Sequence, residues 1–222
     1  MYVVDKARDC VIASARIDDV PALIVDIDRV VSLVGFYISD CVVASASFME
    51  NLEKVSLESK RLILQTISLE HTEDVFREFT SEITTFMYPK PAQSLSETEK
   101  IIREMILQRE NHTDLVLVIL KKDGLEFLGI CEVGAIDTQT PELGIWLKKS
   151  AHGHSFGREA IDALKDWVDK NLEYNYLSYP VDKRNIPSRK IAESLGGKVF
   201  QEFQQINKSG DLLDEVEYRI YK

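Results

Sequence analysis

Residues 141–182 constrain this chain more than any other stretch. "PELGIWLK" (141–148) alternates like a strand, "SAHGHS" (150–155) crowds two histidines around a glycine, and a helical pattern begins at once. That helix puts Phe156, Ala160, Ala163, Leu164, Trp167 and Val168 on one side. Asp162, Lys165, Asp166 and Asp169 fall largely on the other, the pattern of a helix half-sunk in a core. "YNYLSYPVD" (174–182) then reads as a second strand.

The flanking sequence supplies strands of a different kind. "DLVLVILK" (114–121), "LEFLGICEVGAI" (125–136) and 141–148 are separated by Lys-Asp-Gly and Asp-Thr-Gln-Thr, which makes a meander. "KVFQEFQQI" (198–206) and "LLDEVEYRIYK" (212–222) pair around the turn "NKSGD". Before the meander, "RLILQTI" (61–67) is β-like, and 68–79 and 96–110 each open on a serine and carry apolar residues at helical spacing. "NIPSRKIAESLGG" (185–197) is a short helix with an Asn cap, an early Pro and a terminal Gly. The expected order is β α α β β β α β α β β. A strand–helix–strand unit inside an otherwise antiparallel sheet makes the class α+β.

Residues 1–48 differ in kind: they hold no Glu, Asn, Gln, Thr, His or Trp, and "DCVIASA" (9–15) returns as "DCVVASA" (40–46). They read as an extension upstream of a natural start at Met49, or as a small dimerising element, and a homodimer is compatible with the second reading. The domain proper is 49–222. Asp40 interrupts the apolar run 30–49, which argues against an exported or membrane-anchored chain. Three widely spaced cysteines read as reduced thiols of a cytoplasmic protein. A net charge of −10 argues against nucleic acid and is compatible with cationic partners such as amines.

The His-Gly-His loop admits three readings: half of a metal site, an anion cradle, or an ordinary turn. A metal needs three or four ligands, and the remaining histidines, His71 and His112, are remote in sequence, so no metal is expected. A helix N-terminus after a strand leaves N–H groups unpaired and favours an anion, and Gly153, Gly157 and Ser155 suit a pyrophosphate.

"SLESKRLILQTIS", "PELGIWLKKS", "HGHSFGREAIDAL" and "NIPSRKIAESLGGK" resemble the GNAT superfamily of acyl-CoA-dependent N-acetyltransferases, particularly the ribosomal-protein N-terminal (alanine) branch. The resemblance runs from about Leu57 to Lys222. It implies a mixed, mostly antiparallel sheet flanked by helices, with acetyl-CoA as co-substrate and an amine-bearing acceptor, either a protein N-terminus or a small molecule. It implies a coenzyme cradle of His152, Gly153, His154, Ser155, Phe156 and Gly157, with His152 in the family's basic position and Ser155 where a Gly is usual. Backbone N–H groups over Trp146, Leu147 and Lys148 would face the acetyl carbonyl and pantetheine, and Asn185 would bind the coenzyme arm. Glu142, with Glu132 in reserve, is the candidate base, and Ser188 lies near the sulfur. The family's tyrosine acid maps to Ala192 and is missing. Phe86, Met87 and Tyr88 are candidate walls of the acceptor channel. The alternative is a non-catalytic acyl-CoA-binding or regulatory module with the same fold.

Overall fold

The computed structural model describes residues 52–222. The extension 1–48, and any dimerising part it plays, lie outside the described residues. Eight strands form one sheet in the order β1-β2-β3-β4-β5-β6-β8-β7. In chain order these are β1 (Ser56–Glu58), β2 (Leu62–Thr66), β3 (Leu115–Lys121), β4 (Phe127–Gly134), β5 (Glu142–Leu147), β6 (Leu177–Asp182), β7 (Lys198–Ile206) and β8 (Leu212–Ile220). The helices are α1 (Thr72–Glu78), α2 (Leu95–Glu110), α3 (Phe156–Asn171) and α4 (Ile186–Ser194).

The element order follows the sequence pattern, with three local differences. β1 precedes the first expected strand; three residues with the burial pattern of an edge carry too little periodicity to be read in advance. The first helix opens with a 3-10 turn, Leu69–His71, where the Ser68 and His71 side chains form a reciprocal capping box. α2 starts two residues earlier than a Ser96 cap would place it because Ser94 caps it instead: Ser94 Oγ accepts from the Glu97 N–H at 3.2 Å.

β3 is buried from Leu115 to Leu120 because both faces of the sheet are covered there. Leu115, Leu117 and Ile119 join Ala160, Ile161, Leu164 and Val168 of α3 in one core. Val116, Val118 and Leu120 join Val75 of α1 and Ile102 of α2 in the other. Every strand pairing is antiparallel except β5 with β6. That parallel pair holds at one position, Glu142 against Ser178. Past it the strands part and the sheet opens.

Candidate active site

A cleft of about 700 Å³ fills that opening, and its walls come from both faces of the sheet. From the α4 side it is lined by Tyr179, Asn185 and Ser188, and from the opposite side by Glu132, Glu142, Trp146 and Glu215. A parallel pair that held its full length would close this passage.

The β5 backbone supplies donors to the opening. The Lys148 N–H donates to Leu128 O at 2.8 Å, so in this register the Trp146 N–H also points at β4. The N–H groups of the alternate residues, Ile145 and Leu147, face the gap left by β6. Of the three residues expected to present N–H groups, Leu147 therefore does so. Ile145 joins it, which strand alternation could have indicated once the side facing β4 was known.

At the end of β5, a ring nitrogen of His152, Nε2, lies 3.0 Å from Leu147 O. A carbonyl only accepts, so Nε2 carries the proton and ties the loop to the strand. Gly153 turns with φ +81°. Ser155 takes φ +61° and ψ +18°, the left-handed region, as N-cap of α3 without a side-chain cap. The N–H groups of Phe156, Gly157 and Arg158 lie in the first turn, where no intrahelical acceptor exists. They form the anion-favouring end of the helix. Gly157 does something different from Gly153: a Cβ there would meet Ile191 Cδ1 at 3.1 Å and the side chains of Leu147 and Ile145. It lets α3 lie close against β5 and α4. The His154 and Phe156 rings sit 5.7 Å apart, and the Arg61 guanidinium lies 4.5 Å over Phe156 while its Nε pairs with Glu159 at 2.6 Å.

Glu142, Gly144 and Trp146 share one face of β5 and line the cleft. Glu132 stands opposite Gly144 on β4, where a Cβ would meet its Oε1 at 2.6 Å, so the glycine makes room for that carboxylate. Water reaches Glu142 through the mouth, yet protein walls surround it. That enclosure first, then the charges of Glu132, Glu215 and Glu217, push its pKa up to about 7. Burial and Asp114 likewise raise Glu132.

Asn185 caps α4, accepting from the Ser188 N–H at 3.3 Å. The Ser188 hydroxyl lies 2.9 Å from that of Tyr179, a phenol that burial pushes up to about 12. Sequence reasoning missed Tyr179: it sits on β6 rather than on a helix, and only the fold brings it to Ser188. Phe86, Met87 and Tyr88 all line the cleft, in a loop bound to the β7–β8 turn through Asn207 Nδ2 to Met87 O (3.4 Å) and Lys208 N to Tyr88 O (2.9 Å). Among the described residues no cluster of three or more His, Cys, Asp or Glu could hold a metal ion, and no helix is long and apolar enough to cross a membrane.

The family model described as Acetyltransferase (GNAT) domain matches residues 61–198. An uncharacterized N-acetyltransferase, p20, of Bacillus licheniformis is 28% identical over 174 residues, 75% of this chain and 96% of the relative. A ribosomal alpha-N-protein acetyltransferase, RimL, solved with coenzyme A, superposes with a TM-score of 0.67 at 17% identity, over 75% of this chain and 98% of its own. A microcin self-immunity acetyltransferase solved with acetyl-CoA and AMP superposes with a TM-score of 0.66 at 18% identity, over 74% of this chain and 94% of its own. At these identities the two structures speak for the fold.

Proposed function

Because the chain belongs to the GNAT acetyltransferase family, we propose that this cleft is where an acetyl group passes from acetyl-CoA to a primary amine, with Glu142 as the base. The observation that carries the reading is the parting of β5 from β6 beyond Glu142 and Ser178, which leaves backbone donors and a carboxylate facing one passage through the sheet. The residues suit acetyl-CoA: first-turn N–H groups of α3 for its pyrophosphate, the Ile145 and Leu147 N–H groups for the pantetheine and acetyl carbonyl, and Asn185 beside the arm.

The co-substrate supplies a thioester, whose carbonyl carbon is the electrophile. Glu142 takes a proton from the ammonium group of the acceptor, freeing the nitrogen lone pair to attack that carbon. Negative charge gathers on the carbonyl oxygen, where β5 N–H groups stabilise it. The carbon–sulfur bond breaks as the amide forms, and the second proton that the attacking nitrogen must shed passes to the departing sulfur, directly or relayed by the Ser188–Tyr179 hydroxyl pair, so that coenzyme A leaves as the thiol. A carboxyl near pKa 7 is a far better match to this work at neutral pH than an ordinary one. Acetyl-CoA is a cytosolic substrate, and the buried free thiol of Cys131 suits that compartment.

Calorimetric titration of acetyl-CoA, then thiol release with a panel of amines, tests the reading. Micromolar binding with turnover supports it. Absence of binding overturns it, and binding without transfer to any amine returns the non-catalytic alternative.

A further inference from the structure

The cleft continues past the groups that transfer requires. α1 and α2 contact β3 and β4, and beyond them the same face of the sheet runs on to β6 and β8. There Glu215 and Glu217 stand on alternate positions of β8, opposite Asp182 and Pro180, and both line the cleft. Glu215 is 5% exposed, and its one hydrogen-bond partner is a neutral amide, Gln205 Nε2, 2.5 Å from Oε2. No lysine or arginine pairs with it among the described residues. Glu217 is better satisfied, by Gln201 Nε2 at 2.6 Å and Arg219 Nε at 3.3 Å. With Glu132 and Glu142 the described lining holds four carboxylates against one ammonium, Lys90.

A buried carboxylate without a counter-ion is costly to hold, so its partner is to be sought in what binds. Three features define that partner. The carboxylates are spread along the cleft, and no three of them close on a metal-sized point. Two strand spacings separate β5 from β8, about 10 Å, at the level of the Glu142–Ser178 pair, and the gap widens beyond it, where Glu217 and Glu215 lie. The side chains of Trp146, Phe203 and Tyr88 line the same walls, and aromatic rings attract cations, as the Tyr88 ring already does with Lys208 Nζ at 5.6 Å. The Met87–Tyr88 loop, which lines the cleft, is bound to the β7–β8 turn, and a wall tied down in this way suits a small molecule better than a continuing peptide.

We infer that the acceptor is an aliphatic diamine or polyamine: Glu142 receives the amino group that is acetylated, and Glu215, with Glu217 beside it, holds a second cationic centre. The inference rests on the acetyl-transfer reading above and names its substrate class.

The test is acetyl transfer by the full chain, followed as thiol release, with octylamine and diaminooctane, which differ only in the second amino group, together with spermidine and a peptide whose second residue is lysine. kcat/KM for diaminooctane and spermidine is expected to exceed that for octylamine about ten- to hundred-fold, the worth of one charge-assisted contact. The preference should shrink with salt. In Glu215→Gln it narrows to a few-fold while the calorimetric affinity for acetyl-CoA holds, which also shows the variant folded. The octylamine comparison in the unaltered protein needs no substitution. Equal kcat/KM for octylamine and diaminooctane, or faster transfer to the peptide than to any diamine, overturns the inference and leaves acetyl transfer standing. If acetyl-CoA binds but nothing is acetylated, the transfer reading fails, and spermidine titrated into the coenzyme A complex decides the inference: binding lost in Glu215→Gln supports it, and no binding overturns it.

Discussion

Glu142 is a strand-end carboxylate in sequence and a partly enclosed carboxyl with a raised pKa in the fold, the base of the proposed transfer. Its raised pKa has a sign that can be checked. The active form is the carboxylate, so kcat/KM should climb with pH through about 7 and level off above it, apart from ionisation of the acceptor. Glu142→Gln should remove that limb and lower kcat by about 10²–10⁴-fold with little change in acetyl-CoA affinity, measured by thiol release across pH 6–8.5. Ser155 gives a second prediction. A residue with a Cβ at φ +61° carries roughly 1 kcal/mol of strain that glycine does not. Ser155→Gly should therefore raise Tm by about 2–4 °C. Acetyl-CoA binding, read by calorimetry, should be equal or tighter.

Among the elements, β5 does the most. It pairs in full with β4 and at one position with β6, so one edge is held by the sheet and most of the other is left unpaired. Its fit to β4 depends on Gly129, beside an irregularity in the β3–β4 register at Ile119 and Leu120. A Cβ on Gly129 would sit 2.1 Å from Trp146 O and 2.8 Å from Leu147 Cα. Gly129→Ala should thus push β5 away, costing about 3 kcal/mol and roughly 6–12 °C in Tm. Since the Ile145 and Leu147 donors move with the strand, acetyl-CoA affinity should fall as well, which separates this glycine from Gly124, where a Cβ meets nothing within 4 Å. Enlarging Gly157 acts on the helix instead: Gly157→Val would drive α3 from Ile191 and Leu147, and calorimetry should show weaker acetyl-CoA binding.

The cleft gathers carboxylates from β4, β5 and β8, and the molecule as a whole bears the cost of keeping them together. Glu132, Glu142 and Glu215 all titrate above the ordinary 4.5, each chiefly through burial. For Glu142, between 4.5 and about 7 the folded protein then retains a proton that the unfolded chain has released, so its contribution to stability falls as pH rises through that window, and Glu132 and Glu215 act in the same direction. Urea unfolding of the protein without ligand should show the decline from pH 5 to 7, and Glu142→Gln should flatten it. The sequence carried the element order, the helix-capping serine of the first helix and Asn185, and the strand–loop–helix unit around Gly153, because periodicity and capping act over a few neighbouring residues. It also carried Glu142 and the Phe86–Tyr88 wall as candidates, though not their company. The pairing of β5 with β6 at a single position, the meeting of Tyr179 with Ser188, and the approach of Glu215 to Glu142 belong to contacts between segments far apart along the chain. Such contacts, and the desolvation that moves a carboxyl to pKa 7, depend on which surfaces the folded sheet brings face to face, and no local pattern encodes that.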